Sequence, residues 1–182
     1  MSKVVVITGG PASGKTSLIE RISIEYDCII IPEIFSKSLP WIKKISEFER
    51  QVYIYNQHIF LLEEAKNKGA MFIVCDRGTL DALAYVDLFM FYRIIGNCSL
   101  KNELNRYDCV LNMESIAFLQ KIDYNKMINS RRMENRMDAR RISRTLKEVW
   151  SQHPNYYSLN SEILFENKME KAMEIIKEYA EL

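Results

Sequence analysis

The chain has 182 residues, 48% of them hydrophobic, which is enough for one sizeable core and too few for two comfortable domains. Lys and Arg total 25 against 24 Asp and Glu, a net charge of +1, so bulk electrostatics make nucleic acid or an anionic membrane poor expectations as partners. The first strand begins almost at Met1 with no charged-then-apolar leader, which predicts a cytoplasmic protein. Cys28, Cys75, Cys98 and Cys109 lack CxxC or Cys/His ligand spacing and read as reduced core residues.

The β-branched run Val4-Val5-Val6-Ile7-Thr8 reads as a buried strand, and Ser17 to Ile22 returns its apolar positions at helical spacing. Between them stands Gly9-Gly10-Pro11-Ala12-Ser13-Gly14-Lys15-Thr16, the phosphate-binding pattern GxxxxGK[ST] in its required strand-to-helix context. Glycines let backbone N–H groups turn inward around a phosphate, and the helix N-terminus adds a favourable dipole. Lys15 supplies a mobile positive charge and the Thr16 hydroxyl a magnesium ligand. An ordinary strand-to-helix turn has no use for a lysine and a hydroxyl at fixed offsets. Gly9, Gly10, Pro11, Ala12, Ser13, Gly14, Lys15, Thr16 and Ser17 are therefore the expected nucleotide-binding segment, for ATP with Mg²⁺ by default and with GTP left open.

Cys28 to Pro32 reads as a second strand buried on both faces, with Glu33 just past its end. Ser46-x-x-Glu49 is a capping box that opens a long helix running to Gly69, with Phe48, Val52, Tyr55, Ile59 and Leu62 on one side. Met71 to Cys75 is the third strand, ending in Asp76-Arg77-Gly78. A hydrophobic helix over Leu80 to Ile95 is expected next, interrupted by Asp81, Asp87 and Arg93 and too short to span a bilayer. Tyr107 to Met113 is the fourth strand. Asp138 is the expected cap of a helix with Ile142, Leu146, Val149 and Trp150 inside and Arg136, Arg140, Arg144 and Lys147 outside, stopped by Pro154. Tyr156 to Leu159 is the fifth strand, and Phe165, Met169, Met173, Ile176 and Tyr179 line a closing helix. Alternating strands and helices predict one three-layer α/β/α phosphate-loop domain over residues 1–182, with a five-stranded, mostly parallel sheet. An Arg-rich lid is expected over about 115–140, most mobile around Asn125 to Arg136.

A parallel sheet brings the ends of its first three strands to one rim, so the loop, Glu33 and Asp76-Arg77 should converge there. Asp76, at the end of an apolar strand, suits magnesium shared with Thr16; its bland alternative is helix capping. Arg77 suits a clamp on phosphate, against a surface pairing with Asp81. Glu33 suits a general base for an attacking hydroxyl, against a solvated loop glutamate. Arg131, Arg132, Arg136, Arg140, Arg141 and Arg144 suit a lid whose guanidinium groups reach the transferring phosphate, with Arg132 and Arg136 the chosen candidates, against a plain solvated helix face. His58 and His153 have no partner pattern and read as structural.

Taken together, these segments resemble the small AAA-type ATP-binding domain family of nucleoside-kinase-like phosphate-loop proteins. The likeness is carried by Ile7 to Thr16, Pro32-Glu33, Asp76-Arg77-Gly78-Thr79-Leu80-Asp81-Ala82-Leu83-Ala84-Tyr85, and the stretch from Arg132-x-Glu134 through Ala139-Arg140-Arg141 to Trp150-Ser151-x-His153-Pro154. It implies that Glu33 is a base, Asp76 a magnesium or water-shell ligand and Arg77 a phosphate clamp. Asn112-Met113-Glu114-Ser115 departs from the small-residue and glycine pattern that often follows the fourth strand. There is no room for the helical lid domain of a ring-forming motor.

Two classes of function follow. The first is a magnesium-dependent kinase passing the γ-phosphoryl group of ATP to a small nucleoside- or nucleotide-like acceptor, seated between the Glu33 rim and helices around Tyr53 and Tyr85. The second is a nucleotide-dependent switch or slow NTPase acting through a protein partner. A silent Glu33→Gln would favour the second. A nucleic-acid-directed kinase draws no support from the near-neutral charge. Asn125-Lys126-Met127-Ile128 lacks the acid of a guanine-reading Asn-Lys-x-Asp segment. Acceptor identity and oligomerisation are not legible.

Overall fold

The computed structural model describes residues 2–36, 40–120 and 135–181. Arg131 and Arg132, with most of the expected lid, lie outside them. Five strands, β1 (Lys3–Thr8), β2 (Ile29–Ile31), β3 (Phe72–Asp76), β4 (Cys109–Met113) and β5 (Tyr156–Leu159), form one sheet in the order β2-β3-β1-β4-β5. Every pairing is parallel, so "mostly parallel" becomes wholly parallel among the described residues. The chain steps from β1 out to the β2 edge, returns through β3, then crosses to β4. The order thus reverses at β1, whose carboxyl end opens into the crevice where such sheets bind ligands.

Period-two alternation divides the core. Val4 and Val6 of β1 face a layer made by α2 (Glu47–Asn67), α3 (Leu88–Ile95) and α5 (Arg136–Trp150), with Tyr55, Leu62, Phe91, Ile142, Leu146 and Trp150 buried against them. Val5 and Ile7 face α1 (Lys15–Glu25) and α6 (Phe165–Ala180) through Leu18, Ile22, Met169, Met173 and Ile176. A short α4 (Leu100–Leu104) precedes β4. The Ser46–Glu49 capping box opens α2 as expected. No helix among the described residues is long and apolar enough to cross a membrane.

Three expectations change. The Leu80 to Ile95 helix is two pieces, a 3₁₀ turn over Thr79–Ala84 and then α3, whose N-terminus is capped by Asp87 accepting from Met90 N. The break falls at Tyr85–Asp87, where the Asp87 side chain satisfies a first-turn N–H of a new helix and so begins α3 afresh. Asn135, not Asp138, caps α5: its Oδ1 accepts from Met137 N at 2.8 Å and Asp138 N at 3.0 Å, leaving Asp138 in the first turn near the positive end of the helix dipole. Finally, β2 is an edge strand in which Ile29 and Ile30 are half-buried, so only Ile31 is fully enclosed.

Candidate active site

The loop between β1 and α1 is held by close approach on every side. Gly9 has φ +134°, and a Cβ there would fall 2.0 Å from Met113 O on β4, so no other residue fits. Ala12 adopts φ +54°, a left-handed backbone uncommon outside glycine, and its carbonyl accepts from Ile116 N at 3.2 Å. Ser115 Oγ donates to Pro11 O. The Asn112 to Ser115 departure therefore supplies its own brace for the loop. Lys15 is buried, and its Nζ donates to Gly9 O at 2.8 Å, Gly10 O at 3.3 Å and Ser13 Oγ at 3.4 Å. Thr16 is exposed in the first turn of α1.

Register places Asp76, the last residue of β3, beside Ile7 on β1. Its Oδ1 is buried with no hydrogen-bond partner among the described residues. Burial is the main influence raising its pKa; Lys15 opposes it, Glu33 adds to it and Arg77 again opposes it. An orphaned carboxylate oxygen is costly unless a cation or water meets it. One hydroxyl and one carboxylate beside a phosphate loop suit magnesium, which keeps waters and phosphate oxygens as its remaining ligands.

The next residue turns back sharply. Arg77 has φ +77°, a strained conformation for a non-glycine residue, fixed by its N–H donating to Ile7 O at 3.0 Å. Its Nε donates to Glu33 Oε1 at 2.5 Å and its Nη1 to Asp81 Oδ2 at 3.4 Å. Both sequence readings of Arg77 thus meet in one side chain: it lies on the rim with Glu33 and also pairs with Asp81. Burial works against its charge, yet Tyr85, Glu33 and Asp81 together raise its pKa, so the guanidinium stays charged.

Asp81 is the residue that sequence reasoning underrated. It is 4% exposed and accepts from Thr8 Oγ1 at 3.0 Å, Trp150 Nε1 at 2.8 Å and Gly78 N at 3.4 Å besides Arg77. Burial is the main cause that raises its pKa, against Arg77, Trp150 and Thr8. A Cβ on Gly78 would lie 2.6 Å from the Trp150 ring, so this glycine admits the indole to Asp81. The Asp-Arg-Gly-x-x-Asp spacing was visible, but nothing in it reveals the tryptophan 69 residues on.

The arginines of α5 serve the turn beside the loop. Arg136 Nε donates to Ala117 O at 3.0 Å and its Nη2 to Leu119 O; Arg140 Nε donates to Ala117 O at 2.7 Å. Arg140 and Arg144 lie over the Phe118 ring at 5.9 and 5.7 Å, and Arg141 Nη1 donates to Ala84 O at 2.9 Å. Beyond Glu33, the turn Ile34–Ser36 places Phe35 under the Arg50 guanidinium of α2 at 5.6 Å, and Trp41 meets Tyr53 edge-to-face at 5.0 Å. Of these rings only Tyr53, with Tyr85, is expected from the sequence; Phe35 and Trp41 carry no spacing signal. His58 and His153 are buried against Tyr107, away from the loop: His58 Nε2 lies 3.1 Å from Tyr107 Oη and His153 Nε2 lies 2.9 Å from Tyr107 O.

A phosphate loop at the switch point of a parallel sheet, with an acidic strand end beside it, defines a phosphate-loop α/β protein of the nucleoside- and nucleotide-kinase fold. The sequence matches the AAA domain family model over residues 4–162, and the chain belongs to that family. Among solved structures it is similar to deoxyadenosine kinase from M. mycoides, determined with bound dATP, at TM-score 0.64 and 16% identity, covering 96% of this chain and 99% of that one. It is also similar to thymidylate kinase from Ehrlichia chaffeensis at TM-score 0.62 and 11% identity, covering 96% and 98%. No curated protein matches the sequence.

Proposed function

We propose that the protein is a magnesium-dependent phosphotransferase that moves the γ-phosphoryl group of ATP to a small nucleoside- or nucleotide-like acceptor. The observation that carries this reading is the Glu33–Arg77 pair, a carboxylate and a guanidinium 2.5 Å apart at the rim of the phosphate loop. A nucleotide switch needs no carboxylate fixed there. Transfer to an alcohol does, because the attacking oxygen must lose its proton. The likeness to two kinases of similar length supports the same class.

In this reading the loop amides and Lys15 hold the β- and γ-phosphates. Glu33 accepts the proton of the acceptor hydroxyl while that oxygen bonds to the γ-phosphorus and ADP leaves. Arg77, aimed by Glu33 and Asp81, faces the transferring group. Thr16 and Asp76 would hold magnesium, which neutralises charge on the β- and γ-oxygens when bound. Phe35, Trp41 and Tyr53 offer aromatic surface on which an acceptor ring can stack.

The test is a screen of nucleosides, nucleotides and ribosylated pyridines with labelled ATP. Transfer to at least one is expected, and Glu33→Gln should lower its rate by about 10²–10⁴-fold while leaving ATP affinity within twofold. ATP binding with no transfer to any acceptor, or a silent Glu33→Gln, would overturn the kinase reading.

A further inference from the structure

The loop is braced from below by a residue that no motif includes. Lys168, in the first turns of α6 and 155 residues from the loop, is 3% exposed, and its Nζ donates to Ser13 O at 3.2 Å and Glu114 O at 2.8 Å. The Glu114 carboxylate is anchored in turn, accepting from Ser161 N and Ser161 Oγ, each at 2.9 Å. Phe165 and Met169 of the same helix close the underside of Gly14. A buried ammonium is expensive, and a methionine of similar length would pack more cheaply. Its position makes chemical sense because Ser13 C=O and Gly14 N–H belong to one peptide group. A cation on the carbonyl side polarises that group and strengthens the amide donor on the other.

We propose that Lys168 is a positioning residue for nucleotide binding: through the Ser13–Gly14 peptide it sharpens the amide that faces phosphate and adds a second positive charge beneath the polyanion. The inference rests on the phosphate loop binding a nucleotide, not on the kinase chemistry. Burial lowers the Lys168 pKa to about 8, and Glu114, facing it from the segment after β4, acts in the opposite direction. Lys15 faces the other side of the loop through Ser13 Oγ. A bound polyanion favours the charged ammonium, so binding above pH 8 must draw in protons.

The experiment is calorimetric titration of the full chain with Mg-ATP from pH 7 to 9.5, in buffers of different ionisation enthalpy. The unaltered protein should take up roughly half a proton at pH 8.5 and lose close to tenfold in affinity across the range. Lys168→Met should bind about tenfold more weakly at pH 7, with little further loss and no uptake at higher pH. A brace with a purely structural role would leave proton uptake at zero. Binding without uptake, or a Lys168→Met variant with unaltered affinity, overturns the proposal while the nucleotide assignment stands. If Lys168→Met does not fold, uptake by the unaltered protein decides alone. No ATP binding at pH 7 removes both.

Discussion

The sheet face covered by α2, α3 and α5 carries two buried polar networks, in contact through the edge-to-face rings of Tyr107 and Trp150, 5.3 Å apart. In the inner one, Glu103 accepts from Tyr55 Oη at 2.9 Å and from Arg106 at 2.8 and 3.0 Å, while Tyr107 Oη accepts from Thr79 N at 2.9 Å and faces His58. The outer one runs from Thr8 and Trp150 through Asp81 and Arg77 to Glu33. The inner network closes on itself, with each buried charge matched. At the outer one the neighbouring Asp76 keeps an unpartnered oxygen, and Arg77 carries a strained backbone. Closed networks specify a core, whereas an open edge with retained strain marks a place prepared for a ligand.

The contrast breaks most sharply at Asp76. Replacing it with asparagine removes the charge that, in the proposed function, would hold magnesium, and turnover should fall about a thousandfold. Stability should move the other way, by about 1 kcal/mol, because the fold no longer desolvates a carboxylate. The sign follows from the raised pKa. Folding favours the protonated acid, so its stabilising contribution is present below the ordinary value of 3.8 and is lost as pH rises through the folded value. The melting temperature of Asp76→Asn should therefore gain on the unaltered protein between pH 4 and neutrality. Lower stability at pH 7 together with retained magnesium-dependent turnover would remove Asp76 from the site.

His58 sharpens the other side. Its pKa is depressed to about 4, chiefly by burial and further by Arg106, against Glu103. A neutral imidazole is thus built into the closed network, and its contribution is complete above pH 6.5 and is lost as pH falls toward 4, amounting to about 3 kcal/mol. In His58→Gln, urea unfolding at pH 7 and pH 4.5 should show a smaller acid loss than in the unaltered protein. Equal losses would mean that the histidine is not the acid-sensitive member.

Sequence spacing made the loop legible because its parts are local: eight adjacent residues flanked by a strand and a helix. It also predicted the meeting of Glu33, Asp76 and Arg77, since a parallel sheet sends all three strand ends to one rim. What it could not show are partners joined only by packing. Thr8 meets Asp81 across 73 residues, and Lys168 meets Ser13 across 155. The Leu80 to Ile95 run reads as one helix because apolar periodicity is blind to an aspartate, Asp87, that begins a new one. The arginines of α5 are legible as a cluster, but the attachment of Arg136 and Arg140 to Ala117 O depends on a turn that no spacing encodes.

Asp81 is the outer network's partner for Trp150, the ring at which the two networks touch, and its substitution has the smallest expected effect and the finest resolution. Asn keeps an acceptor for Trp150 Nε1 and Thr8 Oγ1 but removes the charge beside Arg77 Nη1. Arg77 would then lose one of the two carboxylates that hold it, a looser placement of the group proposed to meet the transferring phosphate, and kcat should fall about tenfold with ATP affinity within twofold. Trp150→Phe is the companion. It removes the indole N–H while leaving the ring contact with Tyr107 in place, so it should cost stability of about 1–2 kcal/mol with a smaller change in kcat. If both variants lose stability alike and neither changes kcat, Asp81 belongs to the closed core and the boundary between the networks lies at Arg77. If kcat responds only to Asp81→Asn, charge at this position governs the rim, and the strain at Arg77 is held in place for turnover.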